Sequence, residues 1–376
     1  MITVVESIIS DLINTAIKAM PSKPEKINFT IGKRGLKIQT AKDNFFCTLS
    51  HPLKNKVDPK DRFSFALEPD VAGSLFVKSA HVPLTISKKG NVVSFVRKNA
   101  GVIKRGQVDS VAVTEDDVLE DGKLKDLPAG VFDLAAKTHR VIQIQGLFES
   151  GDPLVIIDCK KGKSRIVTAD NHHIACASLK IDGELSKGEE FRFVLPKSYM
   201  RYFDSFGEIK TAAVSESGKL IFTYSYKSAL IRLSIPNMSQ DVSILEVFDD
   251  KTSNPRKPSE FSFDEKVQEL IETEVLKSSN VEDVIFTVDR KEFSIKAVGK
   301  GVELNTTLEG FKASSILKGV TFSFHAKLLQ DVMSVITSII SEFKERPKVM
   351  CIVEKSSVIF SIQGKAIYNI LVSRSA

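Results

Sequence analysis

A fixed offset organises the chain. Phe63-Ser64-Phe65 and Phe191-Arg192-Phe193 begin 128 residues apart, and Phe322-Ser323-Phe324 begins 131 residues after the second. Each is a Phe-x-Phe alternation, the mark of a half-buried strand, and each then changes to helical spacing. Pro69 and Pro196 sit at the first two junctions, where the first turn of a helix tolerates a residue without an amide hydrogen. A strand, a turn and a strand follow each time, with the turns at 87–91, 215–219 and 354–358. The 128-residue spacing also links Thr40-Ala41 to Thr168-Ala169; each pair has Asp-Asn just after it and a cysteine on the following strand. Repetition at a fixed period means one structural unit used several times. Three copies in 376 residues give about 125 residues each, an ordinary domain size.

The spacing therefore predicts an α+β chain of three repeated domains, 1–120, 121–248 and 249–376, each a doubled βαβββ motif. Helices are expected at 3–20, where Thr3 and Glu6 fit a capping box, at 131–140, at 264–277, and after Phe324 to about Phe343. The charged stretches 114–130 and 249–260 read as connectors. At the centre lies 164–179, a strand, a tight corner and a second strand. Helices are few, so they can cover only one face of each sheet, and their polar sides must line another surface.

Composition narrows the class. No run of eighteen apolar residues predicts a membrane span, and the N-terminus does not read as a signal peptide. Cys47, Cys159, Cys176 and Cys351 lack CxxC spacing, which points to buried free thiols and a reducing cytoplasm. The net charge of +6 permits a polyanionic partner without requiring one.

The corner Val167-Thr168-Ala169-Asp170-Asn171-His172-His173-Ile174-Ala175 resembles the second-domain signature of bacterial-type DNA sliding clamps, a strand ending Ala-Thr-Asp-Gly-His-Arg-Leu-Ala. Asp170, His172, Ile174 and Ala175 match in kind; Asn171 and His173 depart. The run from Phe191 to Phe206 resembles the strand–Pro–Lys–helix that follows in that family, and the run from Phe322 to Ile336 its third-domain helix. The departures from the cellular pattern suggest a phage-encoded member.

The resemblance implies a homodimeric ring that encircles duplex DNA, slides without reading sequence, and tethers a DNA polymerase. It implies a clamp loader as a further partner, no cofactor, no metal and no catalysis, in the cytoplasm of a cell or an infected host. Carried over by position, the partner-peptide pocket would be Leu154, Ala169, Asn171, His172, His173, Ile174, Pro236, Ile370, Leu371 and Val372. The dimer interface would use Val102 and Ile103 from the first domain and Val275 and Leu276 from the third. Lys18, Lys78, Lys137, Arg140, Lys197, Arg201, Lys327 and Lys344, all on expected helices, would face phosphates. The acidic helix at 264–277 keeps any such lining from being uniformly positive.

Enzyme-like signals are weak. Gly162-Lys163-Ser164 ends like a phosphate-binding loop, but Ile157 stands where the first glycine is needed. Asp170, His172, His173 and Cys176 are metal-ligand types, yet neighbouring histidines on a strand point to opposite faces. Two alternatives remain: a structural ring component, such as one from a virion, that does not enclose DNA, and a hydrolase using the Asp-His-His cluster.

Overall fold

The computed structural model describes residues 2–33, 35–53, 56–76, 82–113, 123–142, 154–160, 164–169, 173–179, 190–203, 205–227, 229–238, 245–246, 248–249, 259–275, 277, 280–289, 292–308, 311, 319–364 and 367–373. Among them one motif, strand–helix–three strands, occurs six times. The first is β1 (Ile2–Val5), α1 (Glu6–Lys18), β2 (Ile27–Ile31), β3 (Gly35–Lys42) and β4 (Phe45–Pro52). The second is β5 (Phe63–Leu67), α2 (Pro69–Leu75), β6 (Pro83–Lys89), β7 (Val92–Asn99) and β8 (Val102–Asp109). The third is β9 (Leu124–Leu127), α3 (Ala129–Ile142), β10 (Leu154–Cys159), β11 (Ser164–Ala169) and β12 (His173–Leu179). The fourth is β13 (Phe191–Pro196), a 3-10 helix (Lys197–Phe203), β14 (Ile209–Ser215), β15 (Leu220–Tyr226) and β16 (Ala229–Ile235). The fifth is β17 (Ser259–Ser262), α4 (Glu265–Leu270) running on into a π turn (Ile271–Val275), β18 (Val281–Val288), β19 (Phe293–Gly299) and β20 (Val302–Leu308). The sixth is β21 (Val320–His325), α5 (Ala326–Ser341), β22 (Lys348–Val353), β23 (Ser357–Gln363) and β24 (Ile367–Ser373). The three Phe-x-Phe phrases thus fall on β5, β13 and β21, the same position in the second, fourth and sixth motifs.

The chain divides into two compact units, Met1–Asp133 with Arg201–Asn237, and Leu134–Met200 with Met238–Ala376. The first unit holds a four-stranded sheet, β1-β6-β7-β8, and an eight-stranded one, β5-β2-β3-β4-β16-β15-β14-β9. Opening strands are exchanged: β1 pairs with β6 and β5 with β2, so neither motif can close its sheet alone. Antiparallel pairing of β4 with β16, for example Leu49 opposite Ile231, makes the larger sheet continuous. α1 buries Ile9, Leu12, Ile13 and Ala16. Phe29 stacks on Phe65 at 4.6 Å, and Phe222 meets Phe132 and Phe203 edge-on at 4.9 and 5.1 Å. Between β3 and β4, Asp43 and Asn44 both have positive φ, the two-residue turn whose twist matches antiparallel strands. Ala100 and Gly101 do the same between β7 and β8.

The second unit repeats the arrangement. Its eight-stranded sheet is β13-β10-β11-β12-β24-β23-β22-β17 and its four-stranded sheet β20-β19-β18-β21. α5 buries Leu329, Val332, Val335, Ile336 and Ile339, and Phe286 stacks on Phe322 at 5.0 Å. Asp264 caps α4 by accepting the Val267 amide at 3.0 Å. The four cysteines are buried and form no disulfide; burial raises the Cys47 thiol to about 12.

Several helix expectations change. Ile2–Val5 is a strand, and Thr3 caps nothing; the helix begins at Glu6 behind Val5. A run of β-branched residues with a partner strand available favours the sheet. The helix after β13 is a 3-10 helix, α4 changes pitch at Ile271, and α5 stops at Ser341, short of Phe343. The stretches read as connectors contain β9 and the start of β17.

Candidate functional site

One face of the second unit's eight-stranded sheet carries an apolar row in register. Leu154 stands opposite Ala169, Ala169 opposite Ile174, Ile174 opposite Leu371, Leu371 opposite Ile359 and Ile359 opposite Ile352. Side chains alternate along a strand, so one row is one face. Behind it lie Ile156, Val167 and Cys176, joined to the same cluster. Leu245 and Phe248 complete the cluster from outside the sheet.

The first unit's larger sheet provides an internal comparison. Aligned on Phe63 and Phe191, the pair Ile156–Val194 corresponds to Asn28–Ala66. The row through Asn28 runs Gln39, Thr48, Arg232 and Thr223, polar throughout. That row corresponds to Ile156, Val167 and Cys176, so the two sheets differ there, whereas the row equivalent to Ala169, Ile174, Leu371, Ile359 and Ile352 is Ala41, Phe46, Ser234, Ile221 and Ala213, itself mostly apolar.

A charged group borders the apolar row on the same face. The Arg165 Nε donates to Asp158 Oδ2 at 3.1 Å, and the Arg192 Nε donates to Asp158 Oδ1 at 2.9 Å. Arg165 also donates from both terminal nitrogens to Asp249, at 2.7 and 3.1 Å. Arg165 and Asp158 are almost wholly buried. Burial works against the Arg165 charge, but the Asp249 hydrogen bond and the Asp249 and Asp158 charges outweigh it and raise its pKa.

Of the pocket residues expected from sequence, Leu154, Ala169, Ile174 and Leu371 share this cluster. Ile370 and Val372, alternating with Leu371, are fully buried on the opposite face of β24. His173 pairs with Val372 through the backbone. Pro236 follows β16 and is half-buried. Asn171 and His172, and with them Asp170, lie outside the described residues. Sequence reasoning missed Leu245, Phe248, Ile359 and the Arg165 group; Ile359 joins the site through its strand pairing with Leu371.

Among the described residues eight strands edge the four sheets, β1 and β8, β5 and β9, β13 and β17, β20 and β21; of these only β8 and β20 are the last strand of a motif. Val102 and Ile103, at the start of β8, are 56% and 52% exposed. Val275 ends the π turn; Leu276 is not among the described residues. Lys18, Lys137, Arg140 and Lys327 are exposed on α1, α3 and α5, and Arg201 is exposed on the 3-10 helix that also carries half-buried Lys197. Lys344 lies past the end of α5, and Lys78 is not described.

On α3, His139 is buried with its Nδ1 3.0 Å from Thr168 Oγ1. Burial, aided by the Lys197 charge, lowers its pKa to about 4. The unfolded chain, near 6.5, then binds a proton that the folded one refuses, so the contribution is present above that value and is lost as pH falls toward 4. Between pH 7 and pH 5 the wild-type chain should lose roughly 2 kcal/mol more than His139→Gln in urea unfolding. Equal losses would remove His139 as the titrating group.

No family model and no curated protein matches the chain in sequence. Solved structures do. The chain is similar to the DNA polymerase III subunit beta of Pseudomonas aeruginosa, with TM-score 0.68, 11% identity and 99% of both chains covered. It is equally similar to the Helicobacter pylori beta clamp, at TM-score 0.68 and 13% identity over 100% of this chain and 99% of that one. For the DNA polymerase III beta chain of Streptococcus pneumoniae the values are 0.69 and 13%, with the same coverage. The chain has the sliding-clamp fold. Within the clamp fold, the apolar row lies where β12 and β24 join two motifs, and β8 and β20 are the motif-ending strands that stand at sheet edges among the described residues. No helix among the described residues of this clamp fold is long and apolar enough to cross a membrane.

Proposed function

We propose that the chain is one protomer of a DNA sliding clamp. Two chains of three domains each, 1–120, 121–248 and 249–376, would close into a ring around duplex DNA and tether a polymerase. The open edges carry this reading. Inside the chain each eight-stranded sheet joins the last strand of an odd-numbered motif to the last strand of an even-numbered one, β4 to β16 and β12 to β24. β20 ends the fifth motif and β8 the second. Pairing β20 of one copy with β8 of another rebuilds the same eight-stranded order, and doing so twice closes a dimer.

Such a ring holds DNA by topology and makes no bond. Lys18, Lys137, Arg140 and Lys327 are suited to the sequence-independent attraction of phosphates, which fixes position without reading bases. The apolar row is the proposed seat for short apolar peptides of polymerase and loader, because Ile156, Val167 and Cys176 beside it extend the apolar surface where the other sheet has Asn28, Gln39 and Thr48.

The test is retention on DNA. Chain loaded on a nicked circle should stay bound through a high-salt wash and be released when the circle is cut. Equal loss from circle and linear duplex would overturn the proposal, and a dimer that ignores topology would favour a structural ring component.

A further inference from the structure

The apolar row already has an occupant from its own chain. Leu245 and Phe248 are 2% and 3% exposed in the cluster with Ile174 and Leu371. Immediately after them Asp249 takes the bidentate bond from Arg165. The charges of Arg165, Arg192, Asp158 and Asp249 cancel as a set. Without Asp249 the group is left with one excess positive charge beside an apolar surface. Such a surface is complementary to a peptide with two apolar side chains three residues apart and a carboxylate directly after the second.

The two halves of the charged group differ in how easily they exchange. The Arg165 and Asp158 side chains are 4% and 2% exposed, whereas that of Asp249 is 36% exposed. The inner pair is therefore fixed, and the outer carboxylate stands at the solvent side, where a competing carboxylate can reach the guanidinium. A planar guanidinium presents the same fork to any carboxylate that arrives.

We propose that Leu245, Phe248 and Asp249 are a resident occupant of this face, and that a partner binds by displacing them with the same chemistry. The partner segment then carries an apolar residue, two intervening residues, a second apolar residue and an acidic one, with Arg165 selecting the acid. This rests on the reading of the face as the partner seat. Occupancy by the chain's own segment lowers the apparent affinity of any partner by the fraction of time the face is open.

The experiment uses the full chain and a labelled synthetic peptide of sequence Ser-Ile-Leu-Glu-Val-Phe-Asp-Asp, copied from residues 243–250. By fluorescence anisotropy, Asp249→Asn should bind it about 10-fold more tightly than wild type, since the closed state loses its carboxylate. Phe248→Ala should raise affinity in the same direction through the apolar half. A peptide with its phenylalanine changed to alanine, or its first aspartate to asparagine, should lose the gain. Unchanged affinity in both protein variants overturns the inference. Retention on circular DNA is read alongside: retention with unmoved peptide affinity sinks this inference alone, whereas loss of retention sinks the functional reading.

Discussion

Arg165→Met should destabilise the second unit by about 3–5 kcal/mol, the largest single-residue effect expected on its folding. The substitution keeps much of the volume of the side chain and removes its charge. Asp158, 1% exposed, then keeps only the half-buried Arg192 among its described ion-pair partners, and Asp249 loses both bonds from Arg165. A buried carboxylate short of donors carries the desolvation cost in full, whereas a pair removed together need not. Arg165→Met with Asp158→Leu should therefore recover much of the loss, and the coupling between the two sites should exceed 1 kcal/mol. In thermal unfolding the single variant should melt of order 10 °C lower. A loss below about 1 kcal/mol would mean that water satisfies Asp158 and that the group is not the anchor described here.

The parts of this fold legible in sequence are those whose signal is local. Phe63, Phe191 and Phe322 announced β5, β13 and β21 because alternation and the change to helical spacing lie within a few residues of each other. The paired turns were legible for the same reason. β1, β9 and β17 were missed together, and they are one class: four-residue strands that open a domain. Their partners β6, β14 and β22 lie far along the chain, so no window of sequence contains the pairing that makes them strands. Without β1, the apolar residues Val4 and Val5 extend the α1 stripe and look helical.

The site divides along the same line. The corner at Ala169–Ile174 drew attention because its residues are adjacent. Arg165 and Asp249, 84 positions apart, were invisible as a pair until β11 placed Arg165 beside the segment after β16. Leu371 was named with Ile370 and Val372 by position, from the family resemblance; only the register separates the one that joins Ile174 from the two that face the other side. The missing information is strand register, which composition does not hold: a shift of one residue would exchange the two faces.

Arg105→Pro should convert the proposed dimer to a monomer of 41.5 kDa by light scattering and abolish retention on circular DNA. Asn99 and Val102 flank a two-residue turn, so they form a hydrogen-bonded pair, and Ile103, Arg105 and Gln107 direct their amides to the open edge of β8. On β20, Gly299 and Val302 flank an equivalent turn, and Glu303, Asn305 and Thr307 face outward. Transferring the β4–β16 register places Ile103 opposite Thr307, Arg105 opposite Asn305 and Gln107 opposite Glu303 of the other copy. Proline at Arg105 removes an outward donor while leaving the β7–β8 ladder its own bonds, as edge strands tolerate. Asn305→Pro should do the same from the other strand. Mixed, the two variants retain one sound β20–β8 pair between them and lack the other. They should therefore form a dimer that binds DNA ends and circles alike. A mixture that still holds circles through the salt wash would show that closure runs through some other surface.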